Sequence, residues 1–157
     1  MTWDEIVVSS LTWEQAHVTL EKALRGLPPN PRGASCGIPA LHLGARSAHT
    51  TDAAGPARLL RQPVVRTAKW PADYWPKTQA PPDEKAWTEC LDAIRKDAEA
   101  LAKFATENAA TLTERIPHGT GQTFLRTVLV AVDHNAYHVG QIVSARRLLG
   151  SWPPPAA

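Results

Sequence analysis

The stretch "TFLRTVLVAVDHNAYHVGQIVSARRLL", residues 123–149, decides the fold. Val128, Val132, Val139 and Ile142 recur at helical spacing, and Gly150 ahead of "SWPPPAA" closes the run. At 1.5 Å per residue this helix is roughly 40 Å long, a length that suits a bundle. Inside it, His134 and His138 stand four residues apart, so both rings share one helix face and can aim nitrogens at a single ion. Imidazole suits zinc, nickel or iron(II), and such a site normally takes at least a third protein ligand. The competing reading is a pair of core or surface histidines bonded to backbone or carboxylates. The pattern argues against a zinc protease, because "HNAYH" places Asn135 where the general-base glutamate of His-Glu-x-x-His would stand.

Two more helices flank this one in sequence. "TWEQAHVTLEKALRG", residues 12–26, opens on a Thr-x-x-Gln capping box and ends on a glycine before Pro28 and Pro29. The spacing predicts a helix over 12–26 with Leu20, Ala23, Leu24 and Leu27 on one face and His17 in a structural role. Residues 83–108 form the next, capped by Asp83, with Trp87, Cys90, Leu91, Ile94, Ala98, Leu101 and Ala105 as its apolar stripe. "IPHGTGQ" reads as a loop in which His118 is a turn residue. "WPADYWPKTQAPP", residues 70–82, is a proline-bound connector.

Bulk properties restrict the function classes. The chain has 157 residues, enough for a single domain over 1–157 with one core, and its 43% hydrophobic residues argue for a packed globule. Cys36 and Cys90 are too few for a disulfide framework and lack zinc-type spacing. "MTWDEIVVSS" has no basic leader, and no apolar run approaches the ~18 residues of a membrane span. A reduced, cytoplasmic protein is expected. The net charge of +2 comes from residues 40–69, where Arg46, Arg58, Arg61, Arg66 and Lys69 face Asp52 alone. No basic stripe is interleaved with aromatics, which argues against nucleic acid as a partner.

Three long amphipathic helices need a fourth to cover them, and residues 39–68 are the place for it. That window does not read as a helix. It holds none of the six tryptophans, two tyrosines and two phenylalanines, and Gly55-Pro56 and Pro63 interrupt it. Its large apolar residues, Leu41, Leu43, Leu59 and Leu60, lie on both sides of that dipeptide. Only short helical pieces are expected there.

"DHNAYHVGQIVSARRLLGSW" resembles the last helix of the DinB-like (YfiT-like) superfamily. "AHVTLEKALRGLPP", "WPADYWP" and "IPHGTGQTFLR" agree with that family in order and spacing, and the resemblance covers the chain except about residues 39–68. It implies an all-α four-helix bundle with a divalent metal (zinc, nickel or iron) held by three histidines. Two would be His134 and His138, and the third would come from the second helix. His49 is the nearest candidate, with His42 a weaker one. Asp133 and Gln141 flank the pair and read either as solvated helix residues, the default, or as supports of the ligands from outside. Tyr137 and Cys90 would pack in the core, and Arg146 and Arg147 would complement the helix dipole.

The resemblance further implies a metal-dependent transferase or hydrolase. Some relatives activate a low-molecular-weight thiol, whose pKa the metal lowers. A small-molecule substrate and a homodimer are the partners it allows. The alternative is a non-catalytic bundle that binds a metal or a partner.

The missing second helix has a specific explanation. Relatives carry a pattern like "HSxWxLxxHxxxxQxDxLxF" there. Read one nucleotide later from Ala40, with synonymous codons chosen, this chain's codons give "HSIWELVRHIQRTQQDLLDFCANPSY" through Val65. The observed residues largely dictate the first and third letters of each shifted codon, so a random segment would rarely yield this order. Residues 40 to about 68 are therefore expected to be a compensated frameshift that impairs the chain, and the third ligand would be restored at the codon of Ala48. The gene's nucleotide sequence should give the family-like string in the shifted frame; codons that give another string end this explanation.

Overall fold

Polar side chains at segment ends set where the helices begin and stop. The computed structural model describes residues 1–12, 14–27 and 81–154. The described chain is all-α: α1 Trp3–Thr12, α2 Leu20–Leu24, α3 Glu84–Glu107 and α4 Phe124–Leu148, with a 3-10 turn at Ala109–Thr111. The expectations for residues 39–68, including His49 and His42, lie outside the described residues.

The first helix differs from the one expected over 12–26. Thr12 ends α1 instead of opening a helix, and its hydroxyl donates to the carbonyl of Val8 at 2.7 Å. Gln15 donates its side-chain amide to the carbonyl of Ser9 at 3.4 Å. Both capping-box residues thus serve carbonyls of the last turns of α1, that of Ser9 being one with no helical partner of its own, and neither serves an amide of a following helix. Asp4 and Glu5 supply the acidic first turn that the N-terminal dipole favours. The cap of α2 is Thr19, whose hydroxyl accepts from the Lys22 amide at 3.1 Å. Gly26 takes φ 61, as the glycine end of the expected helix requires. His17 sits in the loop between α1 and α2, exposed, with Nδ1 2.8 Å from the carbonyl of Val18.

The other two helices follow their sequence signals. Asp83 caps α3 by accepting from the Ala86 amide at 2.7 Å. Thr123 caps α4 by accepting from the Arg126 amide at 3.1 Å. The end of α4 is a Schellman closure: Gly150 at φ 65 donates to the carbonyl of Arg147, and Ser151 donates to that of Arg146. Between α3 and α4 the "IPHGTGQ" loop is pinned by an isolated antiparallel bridge, Arg115 to Thr123. Gly121 turns it at φ 108, a conformation side chains other than glycine rarely adopt.

Burial divides the core into two clusters along α4. Ala23, Leu24 and Leu27 meet Trp87 of α3 and Val139, Ile142 and Ala145 of α4. Val7 of α1 meets Leu101, Phe104 and Ala105 of α3, Leu112 and Ile116 of the loop, and Val128 of α4. Cys90 packs half-buried against the first cluster.

Arg146 stands in the last turn of α4, as the dipole reading expects, but it is also buried, at 1% exposure. It donates from Nη1 to the carbonyls of Ala23 at 2.6 Å and Arg25 at 2.9 Å. Nε and Nη2 both donate to the carbonyl of Ser151, and the ring of Trp152 lies 5.6 Å from the guanidinium carbon. Burial pulls its pKa below the usual arginine value. One charged side chain therefore satisfies carbonyls at the end of α2 and just beyond α4.

Two outcomes are expected in urea unfolding. Arg146→Met should cost on the order of 3 kcal/mol, because several carbonyls lose a charged donor at once. Thr19→Ala should cost about 1 kcal/mol, whereas Thr12→Ala should stay within about 0.5 kcal/mol. Equal costs for the two threonines would contradict a helix that ends at Thr12 and another that is capped by Thr19.

Candidate metal centre

The central turns of α4 carry both histidines. Val128 and Ala131 belong to one core cluster and Val139 and Ile142 to the other, so His134 and His138 fall in the interval between them. Both are half-buried. Their Nε2 atoms lie 2.9 Å apart, and the rings meet nearly edge-on, at 83° with centroids 4.5 Å apart. The spacing along the helix dictates the proximity, and the rotamers turn both Nε2 atoms toward each other.

Two chemical states fit a 2.9 Å separation. In one, a neutral imidazole donates its Nε2 proton to the other's lone pair. In the other, both lone pairs point at one cation. Two nitrogens bound at ~2.1 Å are about 3.0 Å apart at a right angle and about 3.4 Å apart at a tetrahedral angle. The observed pair thus matches an octahedral edge and lies a few tenths of an ångström short of a tetrahedral one. The geometry fits a chelating pair without movement of the backbone.

The surroundings match the sequence reading in part. Tyr137 is 60% exposed, not packed in the core. It lies beside the histidine pair, with its ring 6.5 Å from that of His134 and 5.5 Å from that of His138. The reason is rotational: position 137 lies across the helix from Val139 and Ile142, the buried stripe. Asp133 is likewise exposed and makes no hydrogen bond to either ring among the described residues. Gln141 is half-buried, and His118 is exposed in its loop.

Among the described residues, no group of three or more histidine, cysteine, aspartate or glutamate side chains comes together as a metal set. Asp97, which sequence reasoning missed, has a carboxylate oxygen buried within the protein. Its position was legible: Asp97 follows Ile94 by three residues and precedes Leu101 by four, so it shares their inward face. It does not complete a three-ligand group with the histidines.

A cavity of about 250 Å³ lies elsewhere, between α2 and α3, over Leu24, Leu27, Trp87, Leu91 and Ile94. Neither histidine of the pair lines it. At its mouth, Arg95 is held by Asp92 at 2.9 Å and by Glu21 at 3.3 Å. Comparison of the chain with protein-family models, curated proteins and solved structures finds no match.

Proposed function

We propose that this chain is a DinB-like four-helix-bundle protein whose His134 and His138 are two of three ligands to a divalent metal, zinc, nickel or iron. The observation that carries the reading is the 2.9 Å approach of the two Nε2 atoms on one face of α4. His49 is the third ligand only if the chain as written supplies one. The frameshift reading instead places it at the displaced codon of Ala48.

Such a metal, when bound, would lower the pKa of a thiol and hold the thiolate for transfer to a small electrophilic substrate. The chain's own contribution is positional. The two rings sit on consecutive turns of a helix that is anchored in a core cluster on either side, so their spacing changes little on binding. Half-burial limits competition from water. Two imidazoles alone hold a metal weakly and leave substrate orientation undetermined, so activity is impaired in this chain.

Metal analysis of the purified protein after gel filtration tests the assignment. His138→Ala should abolish retained zinc or nickel while the helical circular-dichroism signal persists. A version carrying the shifted-frame segment over residues 40–65 should retain about one metal per chain where the present sequence retains less, because three protein ligands then meet. Unchanged metal content in His138→Ala would remove the pair from the site.

A further inference from the structure

The cavity between α2 and α3 is separate from the histidine pair, which lines no part of it. Its floor is apolar. Leu24, Leu27 and Trp87 are at most 6% exposed there, and Leu91 and Ile94 are half-buried. The charged lining residues, Glu21, Arg25 and Arg95, are all exposed and form the rim. At about 250 Å³ the space is smaller than the ~300–1,000 Å³ of a drug-sized pocket. With ~30 Å³ for each water-sized group, about eight such groups fill it. Water gains little on the floor, because it lacks there the two to four polar partners that a buried water requires.

The rim distinguishes between its two cations. Arg95 is already balanced, since Nη1 donates to Asp92 at 2.9 Å and Nη2 to Glu21 at 3.3 Å. Arg25 takes part in no ion pair among the described residues. Its main chain is nevertheless fixed. The carbonyl of Arg25 accepts from Nη1 of Arg146 at 2.9 Å, and Gly26 at φ 61 turns the chain ahead of the buried Leu27. A solvated guanidinium thus starts from an anchored point at the edge of an apolar floor, which lowers the ordering cost of binding.

We infer that this cavity binds a small aliphatic monocarboxylate of about eight carbons, with its chain over Leu24, Trp87 and Leu91 and its head group at Arg25. The two halves of the site define that class. An uncharged chain would gain nothing from Arg25, and a dianion would set its second charge against Glu21. A single carboxylate matches one guanidinium, whose planar fork offers it two parallel N–H donors. The chain meanwhile leaves water for the apolar floor. Neither contribution involves a bound metal.

Isothermal titration calorimetry of octanoate into the full chain, with a chelator present, tests the site. One octanoate should bind per chain with a Kd below about 1 mM. The heat-capacity change should be negative, as burial of a hydrocarbon chain requires. Arg25→Gln should weaken octanoate about tenfold and leave octanol within about twofold, because only the acid uses the guanidinium. That variant keeps the fold, since the side chain is exposed and the carbonyl that Arg146 holds is unchanged. Leu91→Trp fills the cavity and should abolish binding of both compounds while the helical circular-dichroism signal persists. His138→Ala should bind octanoate as the starting chain does, which separates this site from the metal centre. No saturable heat with octanoate, equal losses of acid and alcohol in Arg25→Gln, binding retained in a folded Leu91→Trp, or binding lost in His138→Ala would each overturn the assignment.

Discussion

The guanidinium of Arg146 joins parts of the chain that are far apart in sequence. It reaches the carbonyls of Ala23 and Arg25, more than a hundred residues earlier, and the carbonyl of Ser151 beyond its own helix. A buried charge is costly unless its donors are satisfied. Here the partners are carbonyl oxygens, several of them at helix ends that have no intrahelical donor of their own. The contact removes two unfavourable terms together: an undersolvated cation and a set of undersolvated acceptors. It fixes the C-terminal end of α4 against α2, and with it the apolar cluster of Leu24, Trp87 and Ile142.

Once that end is fixed, α4 becomes the element on which both clusters are assembled. Its N-terminal half packs with Val7, Phe104 and Leu112, and its C-terminal half with Trp87, Ala23 and Leu24. The histidine pair occupies the interval between, where the helix is held from both sides. Two imidazoles on a fraying helix would sample many separations. On this one the Nε2 atoms face each other at 2.9 Å. The same rotational arithmetic gives α4 three distinct sides: the apolar stripe through Val128, Val139 and Ile142, the histidine side, and the open side around Gly140. Each side can change without displacing the others.

Much of the helical architecture was legible in the residues. Asp83 before an amphipathic run, and Gly150 after one, give strong local signals, and α3 and α4 begin and end close to them. The i, i+4 spacing of His134 and His138 likewise requires them to share a face whatever surrounds α4. The Thr12–Gln15 pattern misled because a hydroxyl and an amide can serve either a helix start or a helix end. Nothing within four residues tells which. The choice went to α1 because Val7 has a buried place against α3 and α4, which makes Trp3–Thr12 the helical segment.

Local chemistry therefore determined the helix periods, the caps at Asp83 and Gly150, and the pairing of the two imidazoles, because each depends on residues within a turn or two. Tertiary structure decided what becomes of side chains at the edges of the apolar stripes. It buried Arg146, whose last-turn position suits a surface cation equally well, and exposed Tyr137, whose aromatic ring suits a core equally well. Both outcomes follow from where distant elements come to rest. The carbonyls of Ala23 and Arg25 give Arg146 acceptors that no neighbour in sequence provides, and the stripe that packs inward turns Tyr137 outward.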